Sequence, residues 1–256
     1  MSAMTERSAV TLEDVPLEWP GAPGWNDPRS PTPTWPTTGF LGQLSEDARQ
    51  TVLHLGTPRR FDAGEPLLLE GTASDCAYLL VSGLYKVTGT LGSGQKEALI
   101  AIRIGGDVVG EVGLSDGQPR SAAVRSVGAG VGRRIGEDDF YAFLNRFPDA
   151  NRAMARTMAG KLRSATQRRV EFTAYPAPAR MARVLLELAT THGVRTAEGI
   201  EVGLDLTQPE LAALVGAAEA TIHRVLAQLR KDGVLRTGYR RIVVRDVRRL
   251  EGLAEP

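Results

Sequence analysis

Between Gly105 and Arg125 the chain reads GGDVVGEVGLSDGQPRSAAVR. A Gly-Glu pair, a short loop and an Arg-Ser-Ala triplet sit between two apolar runs, so one carboxylate (Glu111) and one guanidinium (Arg120) are held near each other on an apolar scaffold. Such a pair suits a small ligand that offers a hydroxyl and a phosphate. Glu111 accepts from a sugar hydroxyl, Arg120 grips the anion with its planar fork of donors, and Ser121 with nearby backbone N–H groups completes the cradle. The competing reading of the two residues is an ion pair that closes the fold without binding anything.

Outward from this stretch, between Arg59 and Ile135, short apolar runs such as PLLLE, AYLLVSG, LYKVTGT, EALIAIR and AAVRSV alternate with Gly and Asp. That texture predicts many short antiparallel strands in a small barrel or roll, with turns at Ala63-Gly64, Ser82-Gly83, Gly92-Ser93-Gly94 and Gly105-Gly106. Cys76 starts one of these strands as a buried small hydrophobe. Upstream, LGQLSEDARQTVLHLG predicts a short amphipathic helix with Ser45 as N-cap. Downstream, from Glu137 to Phe172, glycine almost disappears, and Met154, Met158, Leu162, Ala165, Arg169 and Phe172 recur at helical spacing. The prediction is a helix divided at Pro148, whose long second part carries a narrow apolar stripe that pairs with a copy of itself.

Thr173 to Ala179 holds two prolines and reads as a hinge, after which MARVLLELATTHG forms an amphipathic helix ended by Gly193 and IEVGLDL a strand. Thr207-Gln208-Pro209-Glu210 has the spacing of a capping box and opens a helix that breaks at Gly216; a second helix runs from Glu219 to Arg230. Two short helices around a glycine turn make a helix-turn-helix, and VLRTGYRRIVVRD adds a hairpin turned at Thr237-Gly238, the wing of a winged helix. Arginine and lysine dominate from Leu211 onward, as a surface facing a phosphate backbone requires. Arg224 is expected to read a base edge by bidentate bonding to guanine, with Thr207, Gln208, Thr221, Arg240 and Arg241 on phosphates.

The Gly110-Glu111 and Arg120-Ser121 arrangement resembles the phosphate-binding cassette of cyclic-nucleotide-binding domains, and the chain from about Gly39 to Val247 resembles a Crp-Fnr family transcription regulator. The resemblance implies that Glu111 binds a ribose 2′-hydroxyl and Arg120 a cyclic phosphate, with Gly110, Val112, Ser121 and Thr166 as further ligand contacts. It also implies cAMP or a related cyclic nucleotide as allosteric ligand. The implied partners are double-stranded DNA with a pseudo-palindromic operator, a second copy of the chain, and RNA polymerase. Two departures stand out. Where the family's recognition helix often begins Ser-Arg-Glu-Thr, this chain has Ala218-Glu219-Ala220-Thr221, which points away from the best-known operator. Glu219 either accepts from a cytosine amino group or complements the helix N-terminus. Where cAMP-responsive members hold adenine with a Thr-Ser pair, this chain has Ala165-Thr166, which weakens selection of adenine over guanine.

The 256 residues favour two modest domains, and 31 basic against 30 acidic residues leave the overall charge near neutral. One cysteine excludes an internal disulfide, a cysteine-based zinc finger and a cysteine-ligated iron–sulfur cluster, and fits a reducing cytoplasm. His54, His192 and His223 are scattered, so no metal site is expected, and no membrane span or secretory signal is read. An enzyme acting on phosphates is the remote alternative, without a P-loop or a Gly-x-Ser-x-Gly elbow to support it; a same-fold regulator with another ligand or none is the nearer one. The expected fold is α+β: a disordered Pro-rich tail over 1–38, an antiparallel β-roll over 39–136, a dimerisation helix over 137–173 and a winged helix-turn-helix over 174–256. Trp19, Trp25 and Trp35 in the tail either dock on the folded body or form a motif for another protein.

Overall fold

A computed structural model describes residues 35–91, 96–202, 206–238 and 241–255. The expectations for residues 1–34 and for the Gly92-Ser93-Gly94 turn lie outside these. At the front, a 3₁₀ turn (Leu41–Gln43) leads into α1 (Glu46–His54), whose first turn is closed by the Ser45 hydroxyl accepting from Ala48 N–H. Eight strands follow: β1 (Thr57–Phe61), β2 (Pro66–Leu68), β3 (Cys76–Ser82), β4 (Leu84–Leu91), β5 (Lys96–Ile104), β6 (Val108–Val109), β7 (Ala123–Ser126) and β8 (Gly130–Gly136). They form two four-stranded sheets, ordered β1-β8-β3-β6 and β2-β7-β4-β5, antiparallel throughout.

Strand β3 is buried along its whole length because both of its faces are covered. Cys76, Tyr78 and Leu80 join Phe61, Leu68, Tyr85 and Val124 between the two sheets. Ala77, Leu79 and Val81 alternate onto the outer face, where Phe40, Val52, Phe140, Phe143 and Met154 cover them. Trp35 docks on that second core and donates from Nε1 to the Val81 carbonyl at 3.0 Å. Of the two readings for the tail's tryptophans, this one follows local docking; Trp19 and Trp25 lie outside the described residues.

Helix α2 (Glu111–Asp116) stands between β6 and β7, and α3 (Glu137–Arg146) is separated at Phe147-Pro148 from α4 (Pro148–Ala174), as the proline dictates. The stripe along α4 divides in two. Met154 and Met158 pack on the roll, whereas Leu162 and Phe172 are 69% and 42% exposed, as is Val170 beside the stripe at 52%.

The expected hinge is shorter than the sequence suggests. Helix α5 (Ala177–His192) begins one residue after Pro176, and Arg180 spans the break. Its guanidinium donates to the carbonyls of Phe172 and Tyr175 on one side, and of Val215 and Gly216 on the other. It therefore caps the C-terminal ends of α4 and α6 together, where partial negative charge gathers.

The rear core packs α5, α6 (Gln208–Val215), α7 (Glu219–Lys231) and α8 (Val247–Ala254) against the sheet β11-β12-β10-β9, built from β9 (Gly193–Thr196), β10 (Gly199–Val202), β11 (Leu235–Gly238) and β12 (Arg241–Val244). The wing differs from expectation in register. Gly238 pairs with Arg241, so Thr237 and Gly238 belong to strand β11 and not to the turn; residues 239–240 lie outside the described residues. The two halves touch: Leu84, Leu99, Ile102 and Ile104 of β4 and β5 join the rear core, and Lys86 bonds Glu210 of α6 at 2.7 Å.

Candidate ligand-binding and DNA-binding sites

The cassette begins where β6 runs into α2. Gly110 has φ +87°, and a Cβ built there would lie 2.7 Å from Arg120 Nη1 and 3.1 Å from Leu68 Cδ1, so conformation and space both demand glycine. That closeness lets the Arg120 guanidinium, 4% exposed, donate from Nη1 to the Gly110 carbonyl at 2.8 Å and from Nη2 to the Cys76 carbonyl at 2.6 Å. The Asp75 carboxylate lies 3.4 Å from Nη2 and also pairs with Arg134.

Burial pushes the Asp75 carboxyl upward, but the Cys76 thiol hydrogen bond and the Arg134 and Arg120 charges together outweigh it and hold the group below its ordinary range. The Cys76 thiol is pushed up, first by burial and then by the Asp75 carboxylate.

Glu111 is 3% exposed, and its partner is not Arg120. Lys161 Nζ, from α4, donates to Glu111 Oε1 and to the Val108 carbonyl, both at 2.7 Å. The ion pair that sequence reasoning weighed as a closure within the roll is therefore a tie between the roll and the central helix. Nothing local signals it, because the partners lie 50 positions apart. Burial also pushes the neighbouring Asp107 carboxyl up, against the pull of Arg103 and Lys161 and with the push of Glu111.

The remaining candidates are spread around this centre. Ser121 is exposed beside Arg120, and Val112 is 38% exposed on α2. Beyond Lys161 a cavity of about 610 Å³ opens between β5, α4 and α6; Ala165 lines it, while Thr166 lines a separate groove between α4 and α5. Among the described residues no group of three or more His, Cys, Asp or Glu could hold a metal, and no helix is long and apolar enough to cross a membrane.

In the rear half the Thr207 hydroxyl accepts from Glu210 N–H while Glu210 accepts from Thr207 N–H, a complete capping box at the start of α6. Gly216 then takes φ +65° to turn the chain. Ala218 occupies the N-cap position of α7 without a side-chain bond, Glu219 stands in the first turn, and Ile222, Leu226 and Leu229 face the core. Thr221 is half-buried and Arg224 exposed, its guanidinium 3.4 Å from the Thr221 hydroxyl and the Ala220 carbonyl. Thr207 and Gln208 are exposed at the free end of α6, Arg241 is held by Glu201 at 2.6 Å, and Arg240 lies outside the described residues.

Residues 58–147 match the family model of the cyclic nucleotide-binding domain, and residues 179–253 match that of the Crp-like helix-turn-helix domain. The Cyclic AMP receptor protein of Thermus thermophilus is 30% identical over 196 residues, covering 77% of this chain and 87% of that protein. The chain belongs to the Crp family of DNA-binding transcription regulators. The CRP-like cAMP-activated global transcriptional regulator of Mycobacterium tuberculosis is 28% identical over 193 residues, 75% of this chain and 86% of that one. Among solved structures, TTHB099, a Crp-family regulator from Thermus thermophilus, superposes with a TM-score of 0.66 at 27% identity, covering 77% of this chain and 97% of that one. These Crp-family relatives are regulators of transcription rather than enzymes, and the chain carries the family's ligand-binding and DNA-binding modules in the same order.

Proposed function

We propose that this Crp-family regulator is switched by a cyclic nucleotide held between Glu111 and Arg120, acts as a homodimer joined along α4, and reads a pseudo-palindromic duplex with α7. The observation that carries the ligand reading is the buried Arg120 guanidinium, fixed by the carbonyls of Gly110 and Cys76 at the start of the helix that Glu111 opens. Of the guanidinium's five N–H donors, one on each Nη goes to a carbonyl and another approaches Asp75, so donors remain for an anion. The names of two relatives, a cyclic AMP receptor protein and a cAMP-activated regulator, support the choice of ligand. Gly110, Val112 and Ser121 complete the cradle, and Thr166 is assigned to the ligand by family resemblance alone.

The exposed lower half of α4, with Leu162 and Val170, supports pairing with a second copy. On DNA, Arg224 takes a guanine edge; Thr207, Gln208, Thr221, Arg240 and Arg241 take phosphates; Ala218 and Glu219 shape the entry to the groove. RNA polymerase is the further partner in the cytoplasm. Ligand acts as a population shift, favouring one setting of the two α7 helices over another.

Titration calorimetry with cAMP and cGMP on the full chain and on Arg120→Ala tests the reading. Binding is expected in the first and lost in the second, with the dimer intact; equal binding removes Arg120 from the site. One observation favours a different effector. Lys161 already occupies Glu111 at 2.7 Å and Ala165 offers no hydroxyl, so a ligand that leaves the Lys161 bond in place and makes no amino-group contact to α4 fits as well.

A further inference from the structure

The wing does not offer its positive charge freely. In the sheet β11-β12-β10-β9, Val243 pairs with Glu201 on one side and Arg236 on the other, so these three residues share a face, with Arg241 two positions along β12. The opposite face, with Ile200, Val202, Leu235, Ile242 and Val244, packs into the rear core. Val243 belongs to no core cluster yet is only 1% exposed. Its cross-strand neighbours on this outer face are Glu201 and Arg236.

Those side chains are paired. Arg236 Nη1 donates to both carboxylate oxygens of Glu198 at 2.8 Å, and Arg241 Nη2 donates to Glu201 at 2.6 Å. All four side chains remain open to solvent, between 27% and 56% exposed. Glu201 and then Glu198 also push the Arg241 pKa above its ordinary value, the direction expected of a cation facing carboxylates.

Two wing arginines thus carry internal anions at the distance a DNA phosphate would take. An exposed pair of this kind is weak, so a phosphate can displace the carboxylate, but the displaced carboxylate then stands beside the phosphate and repels it.

We propose that Glu198 and Glu201, on the β9–β10 hairpin, set the DNA specificity of this regulator by competing with the phosphate backbone for Arg236 and Arg241, so that the phosphate contacts of the wing are weakened. Backbone contacts strengthen binding to every sequence alike, whereas base contacts from α7 strengthen binding to the operator. Two acids opposite two wing arginines therefore lower non-specific binding and widen the margin by which the operator wins. The inference rests on the reading of the wing as a phosphate-facing surface.

The test is fluorescence anisotropy on the full chain with a 30-base-pair duplex of random sequence and with an operator duplex obtained by genomic selection, between 50 and 200 mM KCl. Glu198→Gln/Glu201→Gln is expected to bind the random duplex more tightly and to steepen the plot of log K against log salt by about 0.9 per released arginine, about 1.8 per protomer. Its affinity then falls about ten-fold further than the wild type's across that salt range for each protomer engaged, on the order of a hundred-fold for the dimer. The ratio of operator to random binding is expected to shrink, and each single variant to give about half the change. Adding Arg236→Gln/Arg241→Gln to the glutamine pair is expected to abolish the gain in affinity and slope; a gain that persists without the two arginines would also overturn the proposal.

Unaltered slope and affinity in the glutamine variants, with circular dichroism intact, would overturn the proposal, as would weaker binding, which would make the glutamates supports for the arginines. A wild-type chain that binds its operator while the glutamine variants change nothing defeats this inference alone. A wild-type chain that binds no duplex defeats the wing reading with it.

Discussion

The ring of Phe172, at the end of α4, lies over Gly216, at the turn of the helix-turn-helix: a Cβ at position 216 would meet the ring at 2.6 Å. The last turn of the central helix is thereby in contact with the element that aims α7. Gly216 also sits at φ +65°, so a side chain there is opposed by backbone conformation as well as by the ring. Gly216→Ala is expected to destabilise the rear half by about 1–3 kcal/mol, read from the midpoint of urea unfolding. Adding Phe172→Ala should recover part of the loss, and a strictly additive double variant would show that the two positions do not couple.

Lys161→Met leaves the Glu111 carboxylate, 3% exposed, without its cation. Removing one partner of a buried pair costs about 3–5 kcal/mol, whereas replacing both with apolar residues costs less. The order of stability expected in chemical unfolding is wild type, then Lys161→Met/Glu111→Leu, then Lys161→Met. A single variant as stable as the double would contradict the pairing.

Asp107 gives a pH signature. A carboxyl whose folded-state pKa lies above its ordinary 3.8 binds the proton more tightly in the folded chain, so its contribution to stability falls as pH rises from about 3.8 toward the raised value. Asp107→Asn removes that loss. Differential scanning fluorimetry at pH 4 and pH 7 should find the advantage of the variant larger at pH 7. A difference that does not change with pH would contradict the upward shift.

Cys76 is buried, and its thiol is pushed up by burial and by Asp75, so little thiolate is available at neutral pH. Iodoacetamide at pH 8 is expected to label the folded protein far more slowly than the urea-unfolded chain. Equal rates would show that the thiol opens to solvent.

Much of this architecture is written locally. Ser45, Pro148 and the Thr207–Glu210 box act within one helical turn of themselves, and the helices begin where these residues require. The Gly-Glu and Arg-Ser pairs marked the cassette because their residue types are rare among apolar strands. What escaped the sequence is long-range or differs by a small offset. Lys161 finds Glu111 across 50 residues, and Lys86 finds Glu210 across 124.

Strand β9 follows directly on the helix that Gly193 ends, so the same glycine read as a stop was also a start. Helix α8 has a local signal, an Asp246 cap ahead of Val247, Leu250 and Ala254, that its run of arginines masks. Thr237-Gly238 has turn composition, but its cross-strand pairing with Ile242 and Arg241 puts it in the strand.

Only Tyr175 and Pro176 separate α4 from α5, and the four carbonyls gripped by Arg180 belong to both sides of that break. The joint is a crank rather than a swivel: a twist of the long helix about its own axis must carry the turn before α7 along with it. A repressor or activator built this way needs no slack chain to be gathered in before it responds, and lengthening the joint by two glycines should leave both halves folded yet deaf to each other.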